Sequence, residues 1–359
     1  MLLIWNLILF ILGVKLSNKN LNTKRLCIID TPYSLFLYFL ICGVNKDDIF
    51  VMSNHISKDI RNNLNPIYFP YNIFYSDNSF IKNFFMLFRL VFEVVKLRII
   101  LYFKTRNCDV EVYGHAHLLF SFPLYEYENS YIIEDGIGNY ADLPIFKEFP
   151  PLKKFIYEKF FGKYFDTIYD GFGTHPNIKK IYLTKDSGFS DLIKDKVEFV
   201  DLNNLINSLT SDEKAQILKI FNADDILNEN IPNNSILLLT EAFYESNYLS
   251  LDEEIDIYKE MISKYDLNDI VIKPHPSDQK DYTKFFPGVK VIKTRFPMEL
   301  FGLLGIKFKK ILTIHSSAAL NFTDVEIEFY DGEINNEMVN KTRIKLKKQY
   351  DELINRKVI

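Results

Sequence analysis

Cysteine and net positive charge are both scarce in this 359-residue sequence. Its three cysteines, Cys27, Cys42 and Cys108, are scattered and form no CxxC pair, which argues against a disulfide framework and a zinc site. We therefore expect a reducing, cytoplasmic setting. The formal net charge is −4, whereas proteins that bind nucleic acid usually carry a basic surface. No nucleic-acid partner is expected.

The sequence also lacks an apolar run long enough to cross a bilayer. Residues 1–14 are largely apolar and are followed by Lys15, which makes the run shorter than the roughly 20 residues of a transmembrane helix. A basic n-region and a small-residue cleavage site are missing, so no signal peptide is predicted. Two interpretations stay open: a peripheral contact with the inner face of the cytoplasmic membrane, or a helix that covers the core.

Short apolar runs alternate with helical patterns along most of the chain. Residues 26–30 form an apolar run that is typical of a buried parallel strand. Thr31 is a candidate N-cap for the next helix, Pro32 suits its first turn, and Gly43 is placed to end it. In a parallel α/β sheet, the polar end of such a strand borders the ligand crevice.

The same alternation predicts the other elements in both halves of the chain. Further strands are predicted at 48–53, 109–114, 131–136, 180–185, 197–202, 235–243, 289–293, in 269–276 with its loop, and at the start of 309–322. Helices are predicted at 80–103, 149–165, 212–222, 251–265, 296–305 and at the end of 309–322. The predicted class is α/β, with two doubly wound, Rossmann-like domains that face a cleft in a GT-B-like architecture.

A polar, turn-rich segment at 228–234 separates the two series of strands and helices. We therefore predict an N-terminal extension at 1–23, a first domain at 24–230 and a second domain at 231–359. No internal repeat or low-complexity segment accompanies this division.

Two adjacent carboxylates follow the predicted strand in "IIEDG". Glu134 and Asp135 lie where a parallel sheet opens on its ligand crevice, so one of them is a candidate general base. Gly136 permits a turn or the close approach of a substrate. The alternative is a solvated turn, since Asp-Gly is a common turn dipeptide.

A rigid histidine follows another strand in "VIKPHPSDQ". Pro274 and Pro276 restrict the backbone on both sides of His275, which can then contact a phosphate or protonate a leaving group. Lys273 precedes them at the end of the strand. A second His-Pro pair at His175 follows no strand, so the dipeptide alone could equally mark a turn.

Paired serines mark a third strand end, in "TIHSSAAL". Ser316 and Ser317 lie at a predicted strand-to-helix transition, where hydroxyls and free amides bind anions, although an ordinary N-cap is the simpler interpretation. Glu299, in the first turn of a predicted helix, could accept a hydrogen bond from a ribose or merely complement the helix dipole. No GxSxG elbow is present, so a nucleophilic serine is unsupported.

Together, the three motifs resemble those of the bacterial sialyltransferases: a D/E-D/E-G motif, an HP motif and a paired-serine motif, in the same chain order. The resemblance is to glycosyltransferase family 52, the lipooligosaccharide and capsule sialyltransferases, and it covers residues 28–322. It implies inverting transfer of sialic acid from CMP-sialic acid to a galactose-terminated glycan. The first domain would then lie on the acceptor side, and the second would bind the CMP donor.

The resemblance also implies roles for individual residues. Asp135 would be the general base, with Glu134 and Gly136 supporting it. His275, supported by Pro276, would bind the CMP phosphate and could protonate it. The resemblance further places Lys273 near the cytosine, Glu299 near the ribose, and Ser316 and Ser317 at the phosphate, with Pro274 as another donor-binding residue.

Several alternatives stay open. An acidic residue before the HP motif, Asp252 or Glu253, is a second candidate for the base. A CDP-linked polyol-phosphate transferase, another cytidine-dependent sugar transferase and an inert glycan- or nucleotide-binding subunit remain alternative functions. A homodimer is expected from the resemblance alone. No DxD dyad follows a strand and no His/Cys ligand set is evident, so we predict no cofactor and no metal requirement.

Overall fold

The computed structural model describes residues 22–70, 80–140, 173–186, 188–223, 226, 231–275, 278–292, 296–322 and 325–357. The chain divides into two compact units, Met1–Ile220 and Phe221–Ile359. The predicted membrane contact of 1–14 and the predicted helix 149–165 lie outside the described residues. Among the described helices, none combines the length and the apolar character needed to cross a membrane.

The first unit contains a parallel sheet in the order β3-β2-β1-β4-β5-β6-β7 among its described residues. The strands are β1 (Thr23–Ile29), β2 (Ile49–Met52), β3 (Ile67–Tyr68), β4 (Asp109–Gly114), β5 (Asn129–Ile133), β6 (Ile178–Leu183) and β7 (Val197–Phe199). The helices are α1 (Pro32–Cys42), α2 (Lys58–Leu64), α3 (Phe80–Thr105), α4 (Pro123–Glu126), α5 (Leu202–Ser208) and α6 (Ser211–Ile220). Short 3-10 helices span Ile137–Tyr140 and Asp191–Lys196.

The turn from β1 to α1 forms as the sequence predicts. The Thr31 side chain accepts a hydrogen bond from the Ser34 amide, Pro32 is the first residue of α1, and Gly43 ends the helix at a φ of 71°. Residues on the buried faces of β1, β4 and β6 share one apolar core with α3. This shared core fixes the positions of the polar residues at the strand ends.

The second unit contains a parallel sheet in the order β10-β9-β8-β11-β12. Its strands are β8 (Ser235–Leu239), β9 (Ile270–Lys273), β10 (Lys290–Val291), β11 (Phe308–Thr313) and β12 (Glu326–Phe329). Its helices are α7 (Leu251–Ile262), α8 (Tyr282–Phe285), α9 (Leu300–Leu304) and α10 (Glu337–Lys357), with 3-10 helices at Leu267–Asp269 and Ser317–Asn321. The two parallel sheets with their flanking helices confirm the predicted α/β class.

Some predicted elements are shorter than the patterns suggest. The strand predicted at 197–202 ends at Phe199, because the Asp201 side chain accepts from the Asn204 amide and starts α5. The helix predicted after Ser316 is a short 3-10 helix. Neither α2 nor β12 was predicted.

Candidate functional site

Two histidines leave the carboxyl end of β4, next to β1. A Cβ atom at Gly114 would lie 2.0 Å from the backbone oxygen of Ile28, so only glycine allows the two strands to come this close. The His115 amide donates to that same oxygen at 3.2 Å. This contact fixes where the segment from His115 to His117 begins, at the edge of the sheet where parallel α/β folds bind ligands.

Asp135 lies after the neighbouring strand β5 and faces both histidines. Its Oδ1 atom is 3.5 Å from Nδ1 of His115, and its Oδ2 atom is 3.1 Å from Nε2 of His117. The two imidazole rings are stacked with an interplanar angle of 8°. His115 is buried, and neither of its ring nitrogens has a hydrogen-bond partner among the described residues. The arrangement holds one carboxylate between two imidazoles.

The environment of Asp135 suits a general base. Burial raises the pKa of Asp135 to about 6, and the nearby Asp30 acts in the same direction, whereas His117 and a hydrogen bond with Thr31 oppose the rise. Burial also lowers the pKa of His115 to about 4. The pKa of His117 is lowered as well, chiefly by burial and against the charge of Asp135. Both imidazoles are therefore neutral near pH 7, when Asp135 is mostly ionised.

Glu134 has a different environment from its neighbour Asp135. It is 3% exposed, and its Oε2 atom accepts from the hydroxyls of Tyr140 and Thr184, each at 2.7 Å. The Ser34 hydroxyl donates to the backbone oxygen of Glu134 at 2.6 Å. These contacts tie the loop after β5 to α1 and to the loop after β6, so Glu134 supports the loop that carries Asp135.

Gly136 and Asn139 shape the turn after Asp135. Gly136 has a φ of 110°, which other residues rarely adopt, and an added Cβ atom there would meet open space. The backbone conformation of the turn therefore explains this glycine. The Asn139 side chain accepts from the Asp135 amide at 2.7 Å and closes the loop.

Asp30, at the end of β1, adds a third acidic group to this strand edge. Its Oδ2 atom lies 2.7 Å from Nδ1 of His55, and its Oδ1 atom accepts from the Ser53 hydroxyl. The hydrogen bond to Asp30 raises the pKa of His55. Asp30 is thereby held where its charge acts on Asp135.

His115, His117 and Asp135 are also the group among the described residues whose ligand atoms lie close enough to hold a metal, all within 4.8 Å of one another. An imidazole nitrogen binds a metal along the plane of its ring. The two rings are nearly parallel, with centroids 5.7 Å apart, and each has a nitrogen close to the Asp135 carboxylate. These three side chains would be the ligands if this strand edge held a metal ion.

Lys273 ends β9 in the second unit, and its ammonium group is buried. Its Nζ atom lies 4.8 Å from the centre of the Phe296 ring, in a cation–π contact. Burial lowers the pKa of Lys273 to about 8, although the charge of Glu299 opposes this shift. Glu299 is itself buried, at the N-terminal end of α9. Lys273 and Glu299, which are predicted to lie near the cytosine and the ribose, are thus close enough for their charges to interact.

The backbone of His275 is tied to the neighbouring strand β8. The His275 amide donates to the Thr240 hydroxyl at 3.2 Å, and its backbone oxygen accepts from the Asp278 amide at 2.9 Å. Burial and the Lys273 charge lower the pKa of the His275 imidazole. Pro274 lies between Lys273 and His275 as predicted, while Pro276 lies outside the described residues.

Ser316 follows the third strand, β11. Its amide donates to the Thr313 side chain at 2.8 Å, and its own hydroxyl makes no capping bond to the 3-10 helix. The Ser317 side chain lies outside the described part of the chain. Because the helix after Ser316 is one short 3-10 turn, the N-terminal dipole expected there is weak, and the strand-end amides and hydroxyls remain as the anion-binding groups.

The alternative bases lie in the first turn of α7. Asp252 is exposed there. Glu253 forms a capping box with Ser250, in which its carboxylate accepts from the Ser250 hydroxyl at 2.6 Å. Glu253 therefore stabilises the start of α7, and Asp252 complements the helix dipole.

Sequence reasoning singled out Asp135 but missed its partners His115, His117, Asp30 and His55. A signal was available in "DVEVYGHAH", where two histidines at i and i+2 directly follow a predicted strand. It also missed Glu241, which is buried at the end of β8 beside His315. Each of these residues acquires its neighbours from another strand of the sheet.

Comparison with known proteins gives a consistent match for most of the chain. The sequence model described as Glycosyltransferase family 52 matches residues 50–335. A Haemophilus influenzae relative, described as an uncharacterized protein, is 32% identical over 260 residues, which cover 71% of this chain and 81% of the relative. The fold resembles that of a sialyltransferase from Photobacterium damsela, with a TM-score of 0.51 and 14% identity over 93% of this chain and 79% of that chain. An α/β-galactoside α-2,3-sialyltransferase from Photobacterium phosphoreum gives a TM-score of 0.49 at 14% identity, over 92% of this chain and 96% of that chain.

Proposed function

Because this chain belongs to glycosyltransferase family 52, and is thus a glycosyltransferase, we propose that it transfers sialic acid from CMP-sialic acid to a galactose-terminated glycan of lipooligosaccharide or capsule. The observation that carries the proposal is the partly buried Asp135 carboxyl, which faces both His115 and His117 at a strand end. The order of the three motifs along the chain supports the choice of donor.

Asp135 is proposed to remove the proton of the acceptor hydroxyl. A general base works best when its pKa is near the operating pH, because it must be ionised and still bind a proton well. With a pKa of about 6, Asp135 is closer to that balance than an ordinary carboxyl group. His117, which is partly exposed, can hold the carboxylate in position while leaving room for the acceptor.

The second unit is proposed to bind the CMP donor. Lys273 and Glu299 would contact the cytidine, and the amides and hydroxyls at Ser316 and Ser317 would contact the phosphate. The lowered pKa of His275 keeps its imidazole neutral near pH 7. His275 would therefore bind that phosphate through its one N–H donor rather than through a positive charge. The leaving group is a monophosphate, so these groups can stabilise its departure without a metal ion. Attack by the acceptor on the face opposite to CMP gives inversion at the anomeric carbon.

A direct test incubates the purified protein with CMP-sialic acid and lactose and follows both CMP release and the sialylated product. We expect both products in equal amounts. Release of CMP without a sialylated product would mean hydrolysis, and lactose would then not be an acceptor. Neither product with any galactose-terminated acceptor, together with turnover of a CDP-linked polyol, would replace the proposal by a polyol-phosphate transferase.

A further inference from the structure

Three strands of the second sheet end level with one another. Leu239 of β8 pairs with Lys273 of β9 on one side and with Thr313 of β11 on the other. Two residues further along each chain segment come His275, Glu241 and His315. Neighbouring strands are about 4.8 Å apart. Glu241 therefore lies between the two histidines at the carboxyl edge of the sheet.

Among the described residues, no lysine or arginine forms an ion pair with the buried carboxyl group of Glu241. It is 7% exposed, and its Oε1 atom has no hydrogen-bond partner among the described residues. The backbone amide of Glu241 donates a hydrogen bond to the Tyr258 hydroxyl of α7 at 2.7 Å. Glu254 of α7 and Asp278 of the loop after β9 are the acidic groups whose charges act on it.

Lys280 is the cation beside Glu254 and Asp278, and it is paired with acids other than Glu241. Its Nζ atom lies 2.8 Å from Glu245, 3.1 Å from Glu254 and 3.1 Å from Asp278. Burial, together with the charges of Glu254 and Asp278, raises the pKa of Glu241 to about 8. Glu241 consequently carries a proton at neutral pH.

His315 is the group that faces this carboxyl. Its Nδ1 atom lies 3.7 Å from Oε1 of Glu241. Its ring forms a T-shaped contact with the Phe243 ring, with a centroid distance of 4.8 Å and an interplanar angle of 75°. A shift of less than 1 Å would bring Nδ1 and Oε1 to hydrogen-bond distance. His315 directly precedes Ser316, so the imidazole lies beside the proposed phosphate-binding backbone.

We propose that Glu241 and His315 form a proton-carrying pair that serves the phosphate of the donor, with His315 as the catalytic residue and Glu241 as the positioning residue behind it. This inference rests on the proposed function. The protonated carboxyl donates to Nδ1 of the neutral imidazole, which fixes the tautomer with a proton on Nε2. That N–H is then available to the phosphate, next to the contact made by His275.

When the bond between the anomeric carbon and the phosphate oxygen breaks, its electron pair stays on CMP, and that oxygen takes the proton from Nε2 of His315. Nδ1 takes the proton of Glu241, which becomes a carboxylate. The acceptor oxygen forms the new bond to the anomeric carbon and loses its proton to Asp135. After CMP leaves, Asp135 releases its proton to solvent and Glu241 takes up a proton from solvent, which restores both groups.

The kinetic test uses Glu241→Gln, which keeps the size and can still donate an N–H hydrogen bond but has no acidic proton to transfer. We expect kcat to fall by roughly 10²-fold, within the range of general acid catalysis, while CMP affinity changes less than twofold. The wild-type kcat should decline as pH rises through about 8, where Glu241 loses its proton. The decline should be shallower in the variant, where Lys273, whose pKa is also about 8, still titrates in that range. The matched control is Glu326→Gln, which removes an exposed carboxylate on the same sheet. Wild-type kcat and pH profile in Glu241→Gln would overturn the role of Glu241.

A second measurement does not depend on transferase activity. In protein labelled with ¹⁵N-histidine, His315 should show the Nε2–H tautomer near pH 7, should shift when CMP is added, and should change its ring-nitrogen shifts in Glu241→Gln. His315→Gln identifies its signals among the six histidines. If the protein shows this CMP response but transfers no sialic acid, the proposed substrate is wrong. The contact between His315 and the donor phosphate would still hold. If neither CMP nor Glu241→Gln changes the ring-nitrogen chemical shifts of His315, the proposed pairing of Glu241 with His315 is wrong.

Discussion

The Oδ2 atom of Asp135 lies 3.1 Å from the Nε2 atom of His117. Two neighbouring parallel strands, β4 and β5, bring these residues together at their carboxyl ends. The contact lowers the pKa of Asp135 while burial raises it, and burial is the larger influence. His117 therefore partly opposes the effect of burial on the pKa of the proposed base.

The identity of the base can be tested by substitution. Asp135→Asn preserves the size of the side chain but cannot accept the proton, so turnover should fall by roughly 10²–10⁴-fold. CMP affinity, measured by calorimetry, should be nearly unchanged, because the donor is proposed to bind the second unit. Asp252→Asn is the matched control, since this exposed residue is the alternative base. A large loss of turnover in Asp252→Asn, with wild-type turnover in Asp135→Asn, would reverse the assignment.

The pH dependence should report the raised pKa of Asp135. A carboxyl with a pKa of about 6 is protonated, and therefore inactive as a base, below that pH. We expect kcat/KM for the acceptor to fall as the pH decreases through about 6. His117→Gln removes an interaction that lowers this pKa, so the acidic limb should move to higher pH. The control His175→Gln should leave the limb in place, and an unmoved limb in His117→Gln would mean that another group titrates.

From the sequence we could predict the contacts of this site that form between neighbours in the chain, but not the contacts between residues of separate strands. The Thr31 cap and the strand before Glu134 were recognisable because neighbours in the sequence determine them. The pairing of Asp135 with His115 and His117 depends on the strand order, which brings together residues from separate segments. The raised pKa of Glu241 likewise depends on α7 and on the loop after β9. The helix predicted after Ser316 is a 3-10 turn, a distinction that residue propensities rarely resolve.

Transfer should be independent of metal ions. The phosphate-binding groups proposed for the second unit include no metal ligand set, and Asp135 is proposed to act as a base rather than as a metal ligand. Initial rates should therefore be the same before and after treatment with a chelator. A rate that falls on chelation, recovers with zinc and becomes zinc-insensitive in His117→Ala would instead assign His115, His117 and Asp135 as a metal centre.

Ser316 should contribute to donor affinity through its hydroxyl. A hydrogen bond to a charged phosphate stabilises binding by about 1.5–3 kcal/mol, so Ser316→Ala should weaken CMP binding by roughly 10–150-fold. Calorimetry of CMP binding measures this directly. Ser263→Ala, which removes an exposed hydroxyl after α7, serves as the control. Equal CMP affinities in the two variants would exclude Ser316 from the phosphate site.

The two His-Pro pairs provide an internal comparison for the role of His275. His175 is held in a loop, where its Nδ1 atom accepts from the Asn177 amide at 3.2 Å and its ring contacts Tyr125. His275 instead follows β9 and its buried Lys273, and its amide is tied to Thr240 of the adjacent strand segment. If His275 contacts the donor phosphate, His275→Ala should reduce turnover by about 10²–10⁴-fold, with an unchanged melting temperature, because the imidazole contributes little to the apolar core. His175→Ala should keep nearly full turnover. Similar activities in the two alanine variants would show that the strand end and the lysine confer nothing on His275 beyond a turn, and the donor site would then have to be sought around His315 and Ser316.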